Sequence, residues 1–182
     1  MSDFSELAKQ AESDPDQMDF AALREAYVQS DIYRPAKHIL QSKLMQITNA
    51  VKGFEEVAQT CRNILDANPM DLEARMLLGL ALEKLGDQVA AEKHHTFANR
   101  MIDAILATGD GKALDTAWKV IAEAEPWTVM KVFGMKTTSH SRHVHGDLLI
   151  DVFEGRIEER EVKMHFDVTI FVKAIEELIG SE

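Results

Sequence analysis

The amino-acid sequence predicts an α+β protein: helical hairpins, then a small antiparallel β-sheet, then a C-terminal helix. Three observations carry this. Apolar residues recur at helical spacing through roughly the first two thirds of the 182-residue chain. After residue 142 they alternate with polar residues, the period of a strand with one buried face. The final stretch, Ile170 to Ile179, returns to helical spacing. The organisation follows as an acidic N-terminal segment over 1–18, a helical region over 19–125, and a sheet subdomain with its terminal helix over 126–182.

Each element has a local reason. Residues 1–18 are polar and acidic, with a turn at Asp14-Pro15-Asp16, and predict a loose helix and a linker. Asp19 is suited to cap a helix carrying Phe20, Leu23, Ala26 and Tyr27. Pro35 prevents easy continuation beyond Tyr33-Arg34. A helix over about 36–48 follows, with Ile39, Leu40, Leu44 and Ile47 on its apolar side, and Asn49 to Gly53 breaks it. The next spans about Phe54 to Asn68 and ends at Pro69. Asp71 caps a helix over Leu72 to Leu85, and Gly86-Asp87 turns the chain into another that reaches about Ala107. Cys61, between Val57 and Ile64 on one helical face, reads as a buried small hydrophobe.

Thr108-Gly109-Asp110-Gly111 interrupts the helices. Asp110 is then expected to cap a helix running to about Ala124, stopped by Pro126. The glycines do not make a phosphate loop, because no strand precedes them and no Lys-Ser or Lys-Thr follows at the required spacing. They do not make a calcium loop either, because the further acidic ligands are missing. Trp127 to Met135, rich in Val, Phe and Met, reads as a strand, and Lys136 to Ser141 as a polar turn. From Arg142, Val144, Leu148, Ile150 and Val152 point one way, and His143, His145, Asp147 and Asp151 the other. A turn begins at Glu154-Gly155-Arg156. Val162, Met164, Phe166 and Val168 then alternate with Glu161, Lys163, His165 and Asp167 to close a hairpin.

Composition narrows the function. Asp and Glu number 31 against 20 Lys and Arg, a net charge of −11. An acidic surface repels a phosphate backbone, so nucleic acid is not an expected partner. A single cysteine excludes an internal disulfide framework and a cysteine zinc site. The start lacks the basic and apolar runs of a signal peptide, and no apolar stretch reaches membrane-spanning length. No lipidation motif is present, so the expectation is a cytoplasmic protein without membrane contact.

One group of side chains has chemical potential. His143, His145 and His165 are expected on one polar sheet face with Asp147 and Asp167 beside them. His-x-His on a strand sets both imidazoles on one side, which suits zinc or another divalent metal. The same residues equally suit a solvated face with cross-strand His–Asp pairs, Asp147 against His165 and His145 against Asp167. Beside them lies a stretch without acid: residues 126–146 carry Lys131, Lys136, Arg142 and three histidines, and no Asp or Glu. That island suits an anion or an acidic partner, or pairs with the acidic flank from Asp147 onwards.

Two resemblances add to this. Residues 72–105 fit the tetratricopeptide pattern, a repeat of about 34 residues. Leu78-Gly79 and Ala81 stand on its first helix, Gly86-Asp87 at its turn, and Ala91 and Ala98 at the small positions of its second. Residues 38–71 fit less well, with Met45 where glycine is usual. Over most of its length from about residue 18 the chain also resembles a family of bacterial proteins, domain-of-unknown-function family 4919. The residues concerned are Asp19-Phe20, Leu23-Arg24, Tyr27, Tyr33 and Pro35, then Gly109-Asp110-Gly111 with Thr116-Ala117, and His165-Phe166-Asp167-Val168. That resemblance implies a helical front and a β-rich end, and brings no activity, cofactor or catalytic residue. The tetratricopeptide likeness implies protein–protein contact. No nucleophile–base motif such as Gly-x-Ser-x-Gly occurs. The expected function is a non-enzymatic interaction or scaffold module with a protein partner or self-association and no cofactor. The alternative is a metal- or anion-binding protein, extending to a hydrolase, built on the histidine and aspartate cluster.

Overall fold

The structure is a computed structural model and describes residues 3–35 and 53–180. The expected helix over 36–48 and the break at 49–52 lie outside the described residues. The chain divides into two compact units, Met1–Ile102 and Asp103–Glu182.

The first unit is helical: α1 (Phe4–Ser13), α2 (Phe20–Val28), α3 (Phe54–Ala67), α4 (Leu72–Leu85) and α5 (Gln88–Leu106), the last continuing past Ile102. Aspartates begin four of them, Asp87 accepting from the Ala90 amide ahead of α5. The Asp19 carboxylate accepts from the Ala21 and Ala22 amides, and that of Asp71 from the Ala74 amide. Asp3 does the same for Ser5, so the N-terminal stretch forms a definite helix that buries Phe4 and Ala11. Gly86 ends α4 at φ +87°, and the Asp87 amide donates back to the Leu82 carbonyl at 3.0 Å. A side chain at Gly86 would meet nothing, so it is the left-handed backbone that asks for glycine there.

Small residues let these helices approach one another. Ala58, Cys61 and Ile64 of α3 share a core with Ala74, Leu78, Ala81 and Leu82 of α4 and Ala91 of α5. The His95 ring lies over Gly79, where an added Cβ would come within 2.7 Å of it. Cys61 is fully buried, and burial, reinforced by the charges of Asp71 and Glu73, pushes its thiol up to about 11.

Buried polar groups fix how the segments meet. The Tyr27 hydroxyl donates to Asn68 Oδ1 at 2.7 Å, and that oxygen also accepts from the Met70 amide. Arg75 is buried on α4. Its guanidinium stands 3.9 Å above the Phe97 ring, donates to the Pro69 carbonyl at 3.0 Å, and pairs with Glu12 of α1.

The second unit holds β1 (Trp118–Lys119), α6 (Ala124–Val132), β2 (Lys136–His145), β3 (Leu148–Ile157), β4 (Arg160–Asp167) and α7 (Thr169–Ile179). The sheet order is β1-β4-β3-β2. The expected antiparallel strands and closing helix are present, and β1 adds a short parallel pair with β4. Phe153 and Phe166 are buried with Met164 on one sheet face, and Ile150 and Val152 pack with Ala117 on the other.

Four local expectations are corrected. The α-helix expected from Asp110 to about Ala124 does not form, because the Asp110 carboxylate is held by the Lys112 amide and the Thr116 hydroxyl inside a loop, and a 3-10 turn over Leu114–Thr116 follows. Trp127 to Met135 is not a strand: Ala124–Val132 is helical, and Pro126 sits in its first turn, where its missing N–H has no partner to lose. Lys136 to Ser141 is not a turn but the start of β2, and the chain runs through Glu154-Gly155-Arg156 as strand to turn at Glu158-Glu159. Every residue of β2 is exposed, so no apolar alternation marked it. Gly155 lies where the Lys136 carbonyl would come within 2.3 Å of a Cβ.

Two predictions follow from the helical unit. Arg75→Ala, which removes the cation over Phe97 and the bonds to Pro69 and Glu12, lowers unfolding free energy by about 3 kcal/mol in urea titration. Cys61 in the native protein stays unlabelled by a thiol-specific disulfide reagent at pH near 8 and reacts fully once the chain is unfolded.

Candidate functional site

Two places in the second unit bring polar side chains together. One is the junction of the Gly109-Asp110-Gly111 loop with β4. The Gly111 carbonyl accepts from the His165 amide at 2.9 Å and from His165 Nδ1 at 3.0 Å. A carbonyl can only accept, so Nδ1 carries the proton. The Thr116 carbonyl accepts from both the Asp110 and Gly111 amides, and Trp118 Nε1 donates to the Gly109 carbonyl at 3.1 Å. Two glycines are required by close approach. A Cβ on Gly109 would stand 2.3 Å from the Thr116 carbonyl oxygen, and one on Gly111, at φ +65°, would strike the Trp118 ring. Hydrogen bonds from Thr116 and the Lys112 amide hold the Asp110 carboxyl below its usual range. This junction is a clamp that anchors the loop and β1 to the sheet.

The second place is the β2–β3 ladder. Asp151 is 5% exposed and faces Arg142 across the strands. Arg142 Nε donates to Oδ1 at 2.6 Å and a terminal nitrogen to Oδ2 at 2.9 Å, a two-pronged pair that raises the arginine pKa. His140 Nε2 lies 3.1 Å from Oδ2, and its ring stacks on Phe153 at 4.3 Å. Trp127 of α6, half exposed, meets Phe153 edge-on at 5.0 Å. Of the two readings of the acid-free stretch, pairing with the acidic flank describes Arg142 and His140.

The five residues expected to form a metal set are dispersed. His143 and His145 are exposed on β2, opposite Ile150 and Leu148. Asp147 is in the β2–β3 turn, and its carbonyl accepts from Lys173 Nζ at 3.4 Å. His165 and Asp167 are buried on β4, opposite Val152 and Ile150. The expected Asp147–His165 and His145–Asp167 pairings are therefore not formed. A whole strand, β3, separates the two histidine groups, which puts them about 10 Å apart. Asp167 Oδ1 instead accepts from the Thr169 amide at 3.0 Å and from its hydroxyl, whose oxygen accepts from the Leu149 amide. Among the described residues no three His, Cys, Asp or Glu side chains are placed to hold a metal ion.

Sequence reasoning set Asp151 on the face of His143 and His145 and left His140 in a polar turn, whereas both lie on the other face of the β2–β3 ladder. The signal was the turn at Gly146-Asp147: a two-residue connection there places Arg142 opposite Asp151, as observed, with Gly146 at φ +60°.

The fold and these arrangements define a mixed domain: stacked helices in one unit, a four-stranded sheet clamped by a Gly-Asp-Gly loop in the other. Residues 8–177 match the family model described as a domain of unknown function, DUF4919, and the chain belongs to that family. Gly109, Asp110, Gly111, Thr116 and His165, which carry the family resemblance in sequence, meet at the clamp. No curated protein and no solved structure matches the chain. No helix among the described residues is long and apolar enough to cross a membrane.

Glycine substitutions separate the clamp from the helical packing. Gly109→Ala meets backbone that cannot yield and lowers stability by about 3 kcal/mol, whereas Gly79→Ala meets a half-exposed His95 ring that swings aside and costs less than about 1 kcal/mol, both read by urea denaturation.

Proposed function

We propose that the chain is a non-enzymatic protein–protein interaction or scaffold module. The observation that supports this best is the outer edge of β2, along which no further strand is paired among the described residues. It is ten residues long, exposed throughout, without proline, and last in the sheet order. An edge strand presents a row of unpaired amide and carbonyl groups that a further strand can complete. The opposite edge, β1, has two residues and offers no such template. The helical unit serves as the scaffold: the fit of 72–105 to a tetratricopeptide unit supports that part, and one good unit is short of the three or so that build a peptide groove. The lone buried cysteine is in keeping with a cytoplasmic setting.

Proline at the strand edge tests this reading. Amides of neighbouring strand residues point alternately into the ladder and away from it. Of His143→Pro and Val144→Pro, one therefore breaks the β2–β3 pairing and the other leaves it whole while blocking the free edge. The folded one of the two, identified by circular dichroism, is expected to lose at least about tenfold in capture of the proteins that the wild-type chain retains and in any self-association. Undiminished capture by that folded variant, or neither capture nor self-association by the wild type, would overturn the reading.

A further inference from the structure

We infer that the free edge of β2 takes an extended, acidic segment of a partner protein as an added strand, with acidic and apolar residues alternating along it. The inference rests on the interaction reading and names its partner. Charge is the first argument. The chain carries −11 overall, yet residues 126–146 contain no Asp or Glu. β2 brings Lys136, His143 and His145 to the long edge of the sheet that is open among the described residues, while Arg142 and His140 are taken up by Asp151. The acids just behind it are occupied: Asp151 is buried and held by Arg142 and His140, and Glu154 is engaged by Lys163 and Ser139. Those bonds hold the Glu154 carboxyl below its usual range and so keep it a satisfied anion. A strand laid along β2 thus meets Lys136 and the His143 and His145 rings on its near side, with the nearby carboxylates already engaged.

The two faces of β2 set the alternation. Ser141, His143 and His145 project to one side, and carboxylates of an added strand would lie beside them. His140, Arg142 and Val144 project to the other. Val144 is 77% exposed, and on that same side His140 stacks on Phe153, which half-exposed Trp127 also touches. Apolar side chains of the added strand gain cover there. Charge also argues against a second copy of this chain, because two β2 edges side by side oppose like charges, on molecules that already repel at −11.

The test uses the full chain and fluorescein-labelled peptides of about eight residues alternating Glu with Val, Lys with Val, and Thr with Val. The Glu peptide is expected to bind saturably, at least about tenfold tighter than the Lys peptide, with affinity falling as salt is added. It should slow amide hydrogen exchange within 136–145. Changing Lys136→Glu and His143→Glu together should weaken it by about tenfold or more, with the circular dichroism spectrum unchanged. Equal binding of all three peptides, or protection confined to residues outside β2, overturns the inference. If the Lys or Thr peptide protects β2 as well as the Glu peptide does, the acidic assignment fails while strand addition stands. If no peptide protects β2 but captured partners still depend on its free edge, the inference again fails alone. If that dependence is absent too, both fail.

Discussion

A carboxylate kept from water must be neutralised where it stands, and at Asp151 that demand organises one side of the sheet. The residue sits inside β3 on the face that buries Phe153 and Phe166. An isolated charge there would cost several kcal/mol. Arg142 meets it with two parallel bonds and His140 with a third contact, and both belong to β2. A one-residue slip of β2 would turn both side chains to the opposite face and leave the acid alone. β2 buries none of its own residues, so apolar packing does not hold its register. The Arg142–Asp151 pair, the backbone ladder and the turn at Gly146-Asp147 do that.

The helical unit handles the mirror problem, a buried cation. Arg75 is taken up by a ring, a carbonyl and a carboxylate drawn from α5, the Pro69 turn and α1. One side chain therefore links three segments distant in sequence. Its Nε finds no hydrogen-bond partner among the described residues, and its polar contacts are made by the far end of the guanidinium. In both units the apolar core supplies most of the stabilisation and the buried ion selects one arrangement of the segments.

The helical unit was largely legible because its signals are local: Asp19 and Asp71 before apolar periodicity, Gly86 after it. The second unit was legible only where burial imposes alternation, as in β4. Lys136 to Ser141 is a strand through pairing with β3 alone, and such pairing leaves no pattern in composition. Val129 and Val132 have β-branched side chains but lie in a helix, where Val129 and Met130 are buried. Asp110 looked like a helix cap and is the internal fastener of a loop. The histidines lie on separate strands because the chain reverses at Gly146-Asp147. One apparent strand is two, and β3 then stands between His143 and His165.

The exposed edge has a cost for solubility. A ten-residue strand without proline is a template for uncontrolled stacking of chains as well as for a chosen partner. Lys136 and Arg142, together with the irregularity between Thr137 and Ser139, act as gatekeepers, since repeated layers would have to superimpose like charges on a bent edge. Under the proposed strand addition, the basic residues of β2 would hold this surface in a narrow regime, open enough to receive a strand and too repulsive to nucleate a fibril.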